Sequence, residues 1–360
     1  MARGLLYKED FDEARDRLTA WWNGGDIGRP AMHIISPREK PLEDIPAMPP
    51  PAGWTSGYST ANFEYRVNCS ARACIGARYL AEAIPAVSPD LAPNCLALYL
   101  GCKGVEMPGT VWCKPFIDEP EAARFVVDED NFYWNFTFRL AKEQLRLGRG
   151  KFLTAFPDLI EGLDTLAAMR GTQRLLVDLM ERPEWVHDCL RQITQRYFDC
   201  YDALYDMIRD DRGGSHFWAW APGRMAKLQC DFSAMISPEM FREFMVPVLT
   251  EMTERLDYCM YHWDGPCAIQ HHDLLLSIPR LTMIQWTPGA AQPETGDRKW
   301  WPLYHKTVEA GKKLILLGGC TVDNLTAMKR EFGPKLKQFM INFWAESPAE
   351  AGKILQLASD

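Results

Sequence analysis

Residues 258–266, YCMYHWDGP, place a histidine and an aspartate two positions apart at the end of an apolar run. Side chains alternate along a strand, so His262 and Asp264 share one side with Met260, while Tyr261 and Trp263 face the other. An imidazole nitrogen and a carboxylate oxygen both ligate zinc, at about 2.0–2.2 Å. Cys320, after the run KLILLGG, offers a thiolate as a third ligand. His262, Asp264 and Cys320 would leave a fourth position open, the arrangement of a catalytic zinc acting as a Lewis acid on a substrate oxygen or sulfur. The same residues admit a metal-free reading, in which Asp264 orients His262 as a general acid or hydrogen-bond donor. They also admit a structural one, with Cys320 a small buried residue beside two glycines.

Asp231, in LQCDFSAMISPEMF, and Asp158, after KFLTAFP, are further candidate catalytic acids at loop positions. Each is also compatible with a turn residue that bonds its own backbone. Glu161 reads as a helix-start acid partnering the helix dipole. Trp218, Trp220, Trp263, Trp286, Gln285 and Phe156 end successive apolar runs and are candidates to wall a substrate pocket or stack on an aromatic substrate. His271 and His272 fall on a helix and read as outer-surface residues. His33 ends the first predicted strand, a candidate for the barrel floor or for the substrate's far end.

These residues need a scaffold that gathers strand ends. A helix is predicted in the first 25 residues and a strand over 30–36. Residues 45–54 are proline-rich and irregular. Over 55–130 a helix is expected around 71–83 and a strand at 96–101. From 151 the pattern is regular. Strands are predicted at 151–158, 215–220, 258–263, 281–286, 313–319 and 339–344. Helices are predicted at 161–180, 183–210, 237–256, 267–277, 300–311, 322–331 and 347–358. Alternating strands and helices with short loops imply parallel strands with right-handed crossovers. No GxGxxG follows the first strand and no P-loop is present, which argues against a nucleotide-binding open sheet. The expectation is an α/β fold: a (β/α)8 TIM barrel, one domain over 1–360, with a helical and irregular N-terminal extension through 1–150.

The composition narrows the class. The chain has 360 residues, 47% apolar and 24% charged, and a formal net charge of -8 without a basic block. Nucleic-acid binding has no sequence support, and no apolar run reaches a membrane span. The acidic N-terminus does not read as a signal peptide. Eleven cysteines without a CxxC pair suit a reduced, cytoplasmic protein with mostly buried thiols. A homodimer is compatible with this composition.

The stretch LQCDFSAMISPEMFREFMVPVL (228–249) resembles the uroporphyrinogen decarboxylase superfamily, which includes cobalamin-dependent methyltransferases. The segment 159–186, YHWDGP at 261–266 and IPRLTMIQWTPG at 278–289 are similar to further family stretches. The likeness covers about 150–360 well and 1–150 weakly. It implies a barrel with its site at the C-terminal mouth. The early arginine-rich motif that holds tetrapyrrole carboxylates is absent, with GRPAMHIISPRE in its place. Thiol-directed methyltransferases of the family show His-x-Cys and a later Cys as zinc ligands. Here His262 matches the histidine, Asp264 stands for the first cysteine and Cys320 falls near the second. The resemblance therefore implies zinc-dependent transfer of a methyl group from a small methylated compound, such as a methyl ether, aromatic ones included, to the corrinoid (cobalamin) of a partner protein. Two alternatives stay open: a metal-free decarboxylase or lyase, and a non-catalytic small-molecule-binding barrel.

Overall fold

The computed structural model describes residues 4–359. In chain order its strands are β1 (Ala31–Pro37), β2 (Ala77–Ala81), β3 (Ala86–Val87), β4 (Lys103–Met107), β5 (Thr110–Lys114), β6 (Leu153–Thr154), β7 (Ser215–Phe217), β8 (Ala219–Ala221), β9 (Met225–Gln229), β10 (Tyr258–Asp264), β11 (Met283–Thr287), β12 (Lys313–Leu316) and β13 (Phe339–Trp344). The main sheet runs β2-β1-β13-β12-β11-β10-β9. Its pairings are parallel except for β1 with β2. Helices separate the parallel strands, so the fold is α/β, as the alternation implies.

No continuous ladder closes this sheet into a ring; β2 and β9 are its edges. Short pairs β3–β6, β4–β5 and β7–β8 stand apart from it. Two causes are local. Pro157 has no N–H to donate, and the predicted strand at 151–158 pairs only over Leu153–Thr154. The predicted strand at 215–220 folds back on itself at Trp218, whose φ is 53°. The Leu153 and Ala155 N–H groups donate to the Pro85 and Val87 carbonyls within the β3–β6 pair, at 2.9 and 2.7 Å. One bond links that pair to β7: the Phe156 N–H donates to the His216 carbonyl at 2.9 Å.

Other expectations need correction. Residues 96–101 are not a strand: Cys95–Tyr99 is a short buried helix whose N-cap Asn94 accepts the Ala97 N–H. The helix expected near 71–83 lies earlier, at Phe63–Arg72, and β2 follows it. Gly171, at φ 92°, breaks the helix predicted over 161–180 into Gly162–Arg170 and Thr172–Glu181. Strand β9 was not predicted, although all five of its residues are buried. Its MAKLQ sequence carries Lys227 and Gln229 on the inward side, which hides the apolar signature of a buried strand.

The long helix Pro183–Ile208 closes one side of the core through a stripe of tyrosines. Tyr197, Tyr201 and Tyr205 recur every four residues and stack at 6.0 and 6.1 Å. The helix after Ser237 passes through a π turn, Phe241–Met245, just before Pro247. A proline there cannot donate to the preceding turn, and the wider turn absorbs the missing bond. No helix among the described residues is long and apolar enough to cross a membrane.

Candidate active site

Three parallel strands align their polar residues in one row. Gln229 of β9 lies beside His262 of β10, which lies beside Gln285 of β11. Asp264 projects from the same face one pleat further on, opposite Thr287. The carboxyl ends of parallel strands are where α/β sheets place their ligands.

Gln285 sets the state of His262. Its amide nitrogen donates to the Trp286 carbonyl at 2.9 Å and to Thr287 Oγ1 at 2.8 Å. Its Oε1 therefore faces His262 Nδ1 as an acceptor. The imidazole carries its proton on Nδ1 and leaves the Nε2 lone pair free. Burial, and then the Lys227 ammonium, push the His262 pKa down, so the ring is neutral at pH 7.

Asp231 enters from the 3-10 turn Asp231–Met235 that follows β9. One ligand atom from each of Asp231, His262 and Asp264 lies within 4.8 Å of the other two. Asp264 Oδ1 is buried without a hydrogen-bond partner. Asp231 is open to solvent on one side, but the protein crowds it on the others. Burial, then the negative charges of Asp164 and Asp264, push its carboxyl up to about 7. An orphaned carboxylate oxygen, a repelled second carboxyl and a free imidazole nitrogen fit a divalent cation.

Cys320 stands outside this group: among the described residues, it joins no cluster of three ligand atoms. Its sulfur sits 3.9 Å from Thr295 Oγ1, and burial pushes the thiol up to about 11. Among the described residues, the group of potential ligands beside His262 and Asp264 includes Asp231.

Two carboxyls that the sequence reading did not select hold the Asp231 turn. Asp164 accepts the N–H groups of Asp231 and Phe232, both at 2.8 Å, and the Gln229 amide at 3.0 Å. Glu161 accepts the Gln229 N–H at 2.8 Å. Glu161 is no exposed dipole partner: it is fully buried between Ile160 at φ 57° and Gly162 at φ 59°. A β-branched residue in the left-handed region is strained, and it immediately precedes the buried Glu161. A Cβ on Gly162 would meet Met245 Cε at 2.8 Å. Burial pushes the Glu161 carboxyl up to about 8, which keeps it protonated at neutral pH. The two positive-φ residues that flank Glu161 had no sequence signal beyond Gly162 itself.

Lys227, also missed, points to the same side as Gln229 and pairs with Asp158 at 2.6 Å. Asp158 is therefore a counter-ion, and its N–H donates to Asp90 at 3.1 Å. A lysine within a short apolar run was the available signal. Trp218 lies edge-on to His262, with centroids 5.6 Å apart. Trp220, Trp263 and Trp286 are buried in the core, and Phe156 stacks on Tyr201 at 4.5 Å. Of the expected pocket walls, Trp218 and Gln285 reach the site. His271 and His272 are buried rather than on the surface, bonded to the Ser233 carbonyl and to Thr307, each at 2.9 Å. A cleft of about 470 Å³ opens beside the triad, lined by Asp231, Gln229, Asp164, Ile160, Trp112 and Met235.

No protein-family model matches the chain, and no curated protein matches it. Among solved structures its fold is similar to that of a methyltransferase from Methanosarcina mazei. The alignment has a TM-score of 0.58 and covers 96% of this chain and 98% of that one, at 13% identity. The two chains share a fold. At that identity the likeness carries no residue of one site onto the other.

Proposed function

We propose that this chain is a methyltransferase that takes a methyl group from a small methylated compound, a methyl ether by preference, and passes it to the corrinoid of a partner protein. The observation that carries the reading is the convergence of Asp231, His262 and Asp264 at the C-terminal ends of parallel strands. The fold likeness to a methyltransferase supports it, as does the resemblance to the uroporphyrinogen decarboxylase superfamily. We read the open sheet and its short strand pairs as one (β/α)8 barrel, in which the Phe156 to His216 backbone bond stands in place of a ladder between β6 and β7.

Asp231, His262 and Asp264 would hold zinc, which supplies a Lewis acid for the substrate oxygen that gives up its methyl group. A set of two carboxylates and one imidazole, without sulfur, is harder than a thiolate site and suits an oxygen better than a thiol. Gln285 keeps the His262 proton on Nδ1, away from the triad. Asp164 and Glu161 fix the turn that carries Asp231. Lys227, neutralised by Asp158, and Trp218 wall the space beside His262, and Trp218 offers a face for stacking.

Metal analysis of the purified protein tests the reading. Wild type is expected to carry about one zinc per chain. His262→Ala and Asp231→Asn should lose it, and Cys320→Ser should keep it. The loaded protein should then transfer methyl groups from a panel of methoxy compounds to a reduced corrinoid protein. A second reading rests on the Asp231 carboxyl near 7: a metal-free lyase with Asp231 and His262 exchanging protons. It predicts a protein that takes up no metal and an activity that chelators do not reduce.

A further inference from the structure

The inner face of the sheet continues past the triad into a second polar region. Met340 of β13 follows Ile315 of β12 in the cross-strand row that begins with Gln229, His262 and Gln285. Asn342 is the next inward residue on β13, and its neighbour in the parallel ladder is His33 of β1. His216 comes from β7, which is not a sheet neighbour of β1. His33 and His216 nevertheless lie close enough across the interior that protonating one disfavours protonating the other. Ser215, beside His216 on the other side of β7, bonds the Gly223 carbonyl and the Met225 N–H at 2.6 and 3.0 Å, which leaves His216 the inward direction.

Each of these residues keeps a buried polar atom without a partner: His33 Nε2, His216 Nδ1 and Asn342 Oδ1. His33 and His216 are only 6% and 8% exposed. Leaving such atoms unpaired is costly, so a built interior rarely tolerates three of them. The other nitrogen of His33 donates to the Glu82 backbone, so Nε2 presents a lone pair. The Asn342 oxygen is likewise an acceptor. The region holds no free charge. Burial lowers His33 to about 4 and His216 to about 3, so both are neutral at pH 7. Glu82 is paired with Arg17 and Arg29 at 2.7 and 2.6 Å, and Lys8 with Asp10 at 2.9 Å.

We propose that His33, His216 and Asn342 form a subsite that binds an uncharged hydrogen-bond-donating group, a hydroxyl, at the end of the substrate remote from the transferred methyl. Lone pairs at His33 and Asn342 call for a donor; a hydroxyl gives its one proton to either of them, and its oxygen accepts from His216 Nδ1 in the tautomer that carries a proton there. A carboxylate would bring a second set of acceptors and an unpaired charge into the interior. The proposal rests on the reading of the triad's face as the substrate site, and it selects hydroxylated methyl ethers within that class.

Binding is measured without the corrinoid protein, by saturation-transfer NMR and calorimetry, on 2-methoxyphenol, methoxybenzene and 2-methoxybenzoate. The hydroxylated probe should bind about tenfold or more tighter than the other two, the discrimination expected when a buried site is built to bond a hydroxyl. His33→Phe and Asn342→Leu should reduce its affinity to that of methoxybenzene and leave methoxybenzene unaffected. His33→Gln, which keeps an acceptor, should retain most of the preference. Equal affinities in wild type, tighter binding of the carboxylate, or a preference that survives both variants would overturn the proposal. A crystal structure showing ordered water alone beside these residues at saturating 2-methoxyphenol would do the same. If the preference holds but no methyl transfer is found, the enzymatic reading fails and the subsite stands.

Discussion

Glu161→Gln separates the electrostatics of the turn that carries Asp231 from its geometry. Glutamine keeps an oxygen to accept the Gln229 N–H, matches the shape of the protonated acid and cannot ionise. In wild type the carboxyl moves from 4.5 to about 8 on folding, because burial disfavours its charge. A raised pKa means that the folded state holds the proton more tightly than the unfolded state. The associated stability is complete below pH 4.5 and is lost as the pH climbs through 8. At 1.36 kcal/mol per unit, the shift is worth about 5 kcal/mol, of which about 4 is expressed between pH 5 and 9. Asp90 and Asp231, also raised, titrate in both proteins and cancel in the difference. The variant should therefore gain about 4 kcal/mol on wild type between pH 5 and 9, or about 5 °C in Tm for a chain of this size. Paired melts at pH 5, 7 and 9 provide the measurement. A difference that stays constant within about 1 kcal/mol would show that Glu161 is already ionised in the fold, and the account of the buried, protonated clamp would be wrong.

Two further outcomes probe the neighbours of the triad. Gln285→Leu removes the acceptor that keeps the His262 proton on Nδ1; metal affinity should fall about 10–100-fold with little change in Tm, read by competition with a chromophoric chelator. Lys227→Met leaves Asp158 without its counter-ion; a loss of roughly 3–5 kcal/mol is expected, seen in denaturant unfolding.

What the sequence disclosed followed from periodicity and local chemistry. His262 and Asp264 share a face because strand side chains alternate, and β10 delivers both to the strand end as the spacing implies. The capped helix after Ser237 was legible from Ser-Pro-Glu, and Ser237 accepts the Met240 N–H at 3.3 Å. The approach of Asp231 to His262 and Asp264 was not recoverable in the same way, since it required knowing which of several loops bends over the strand ends. Glu161 and Asp164 were hidden for a related reason. Their partners are backbone N–H groups about 68 positions away, and backbone donors carry no mark in a sequence. The tryptophans misled because a ring at a strand end walls a pocket or fills a core according to one pleat's difference in facing, and Trp263 and Trp286 face the core.

The candidate ligands divide by how they are carried. His262 and Asp264 ride one strand, where their spacing is a property of the pleat and cannot drift without shifting the sheet. Asp231 belongs to a short turn whose backbone bonds go to Asp164, and its side chain adds to these a bond from the Gln229 amide at 3.1 Å. The site thus has two invariant corners and one exchangeable corner. A change of a single codon at position 231, to cysteine, histidine or glutamate, would alter the affinity for different metals while leaving the framework intact. Inheritance could explore metal preference at that corner alone.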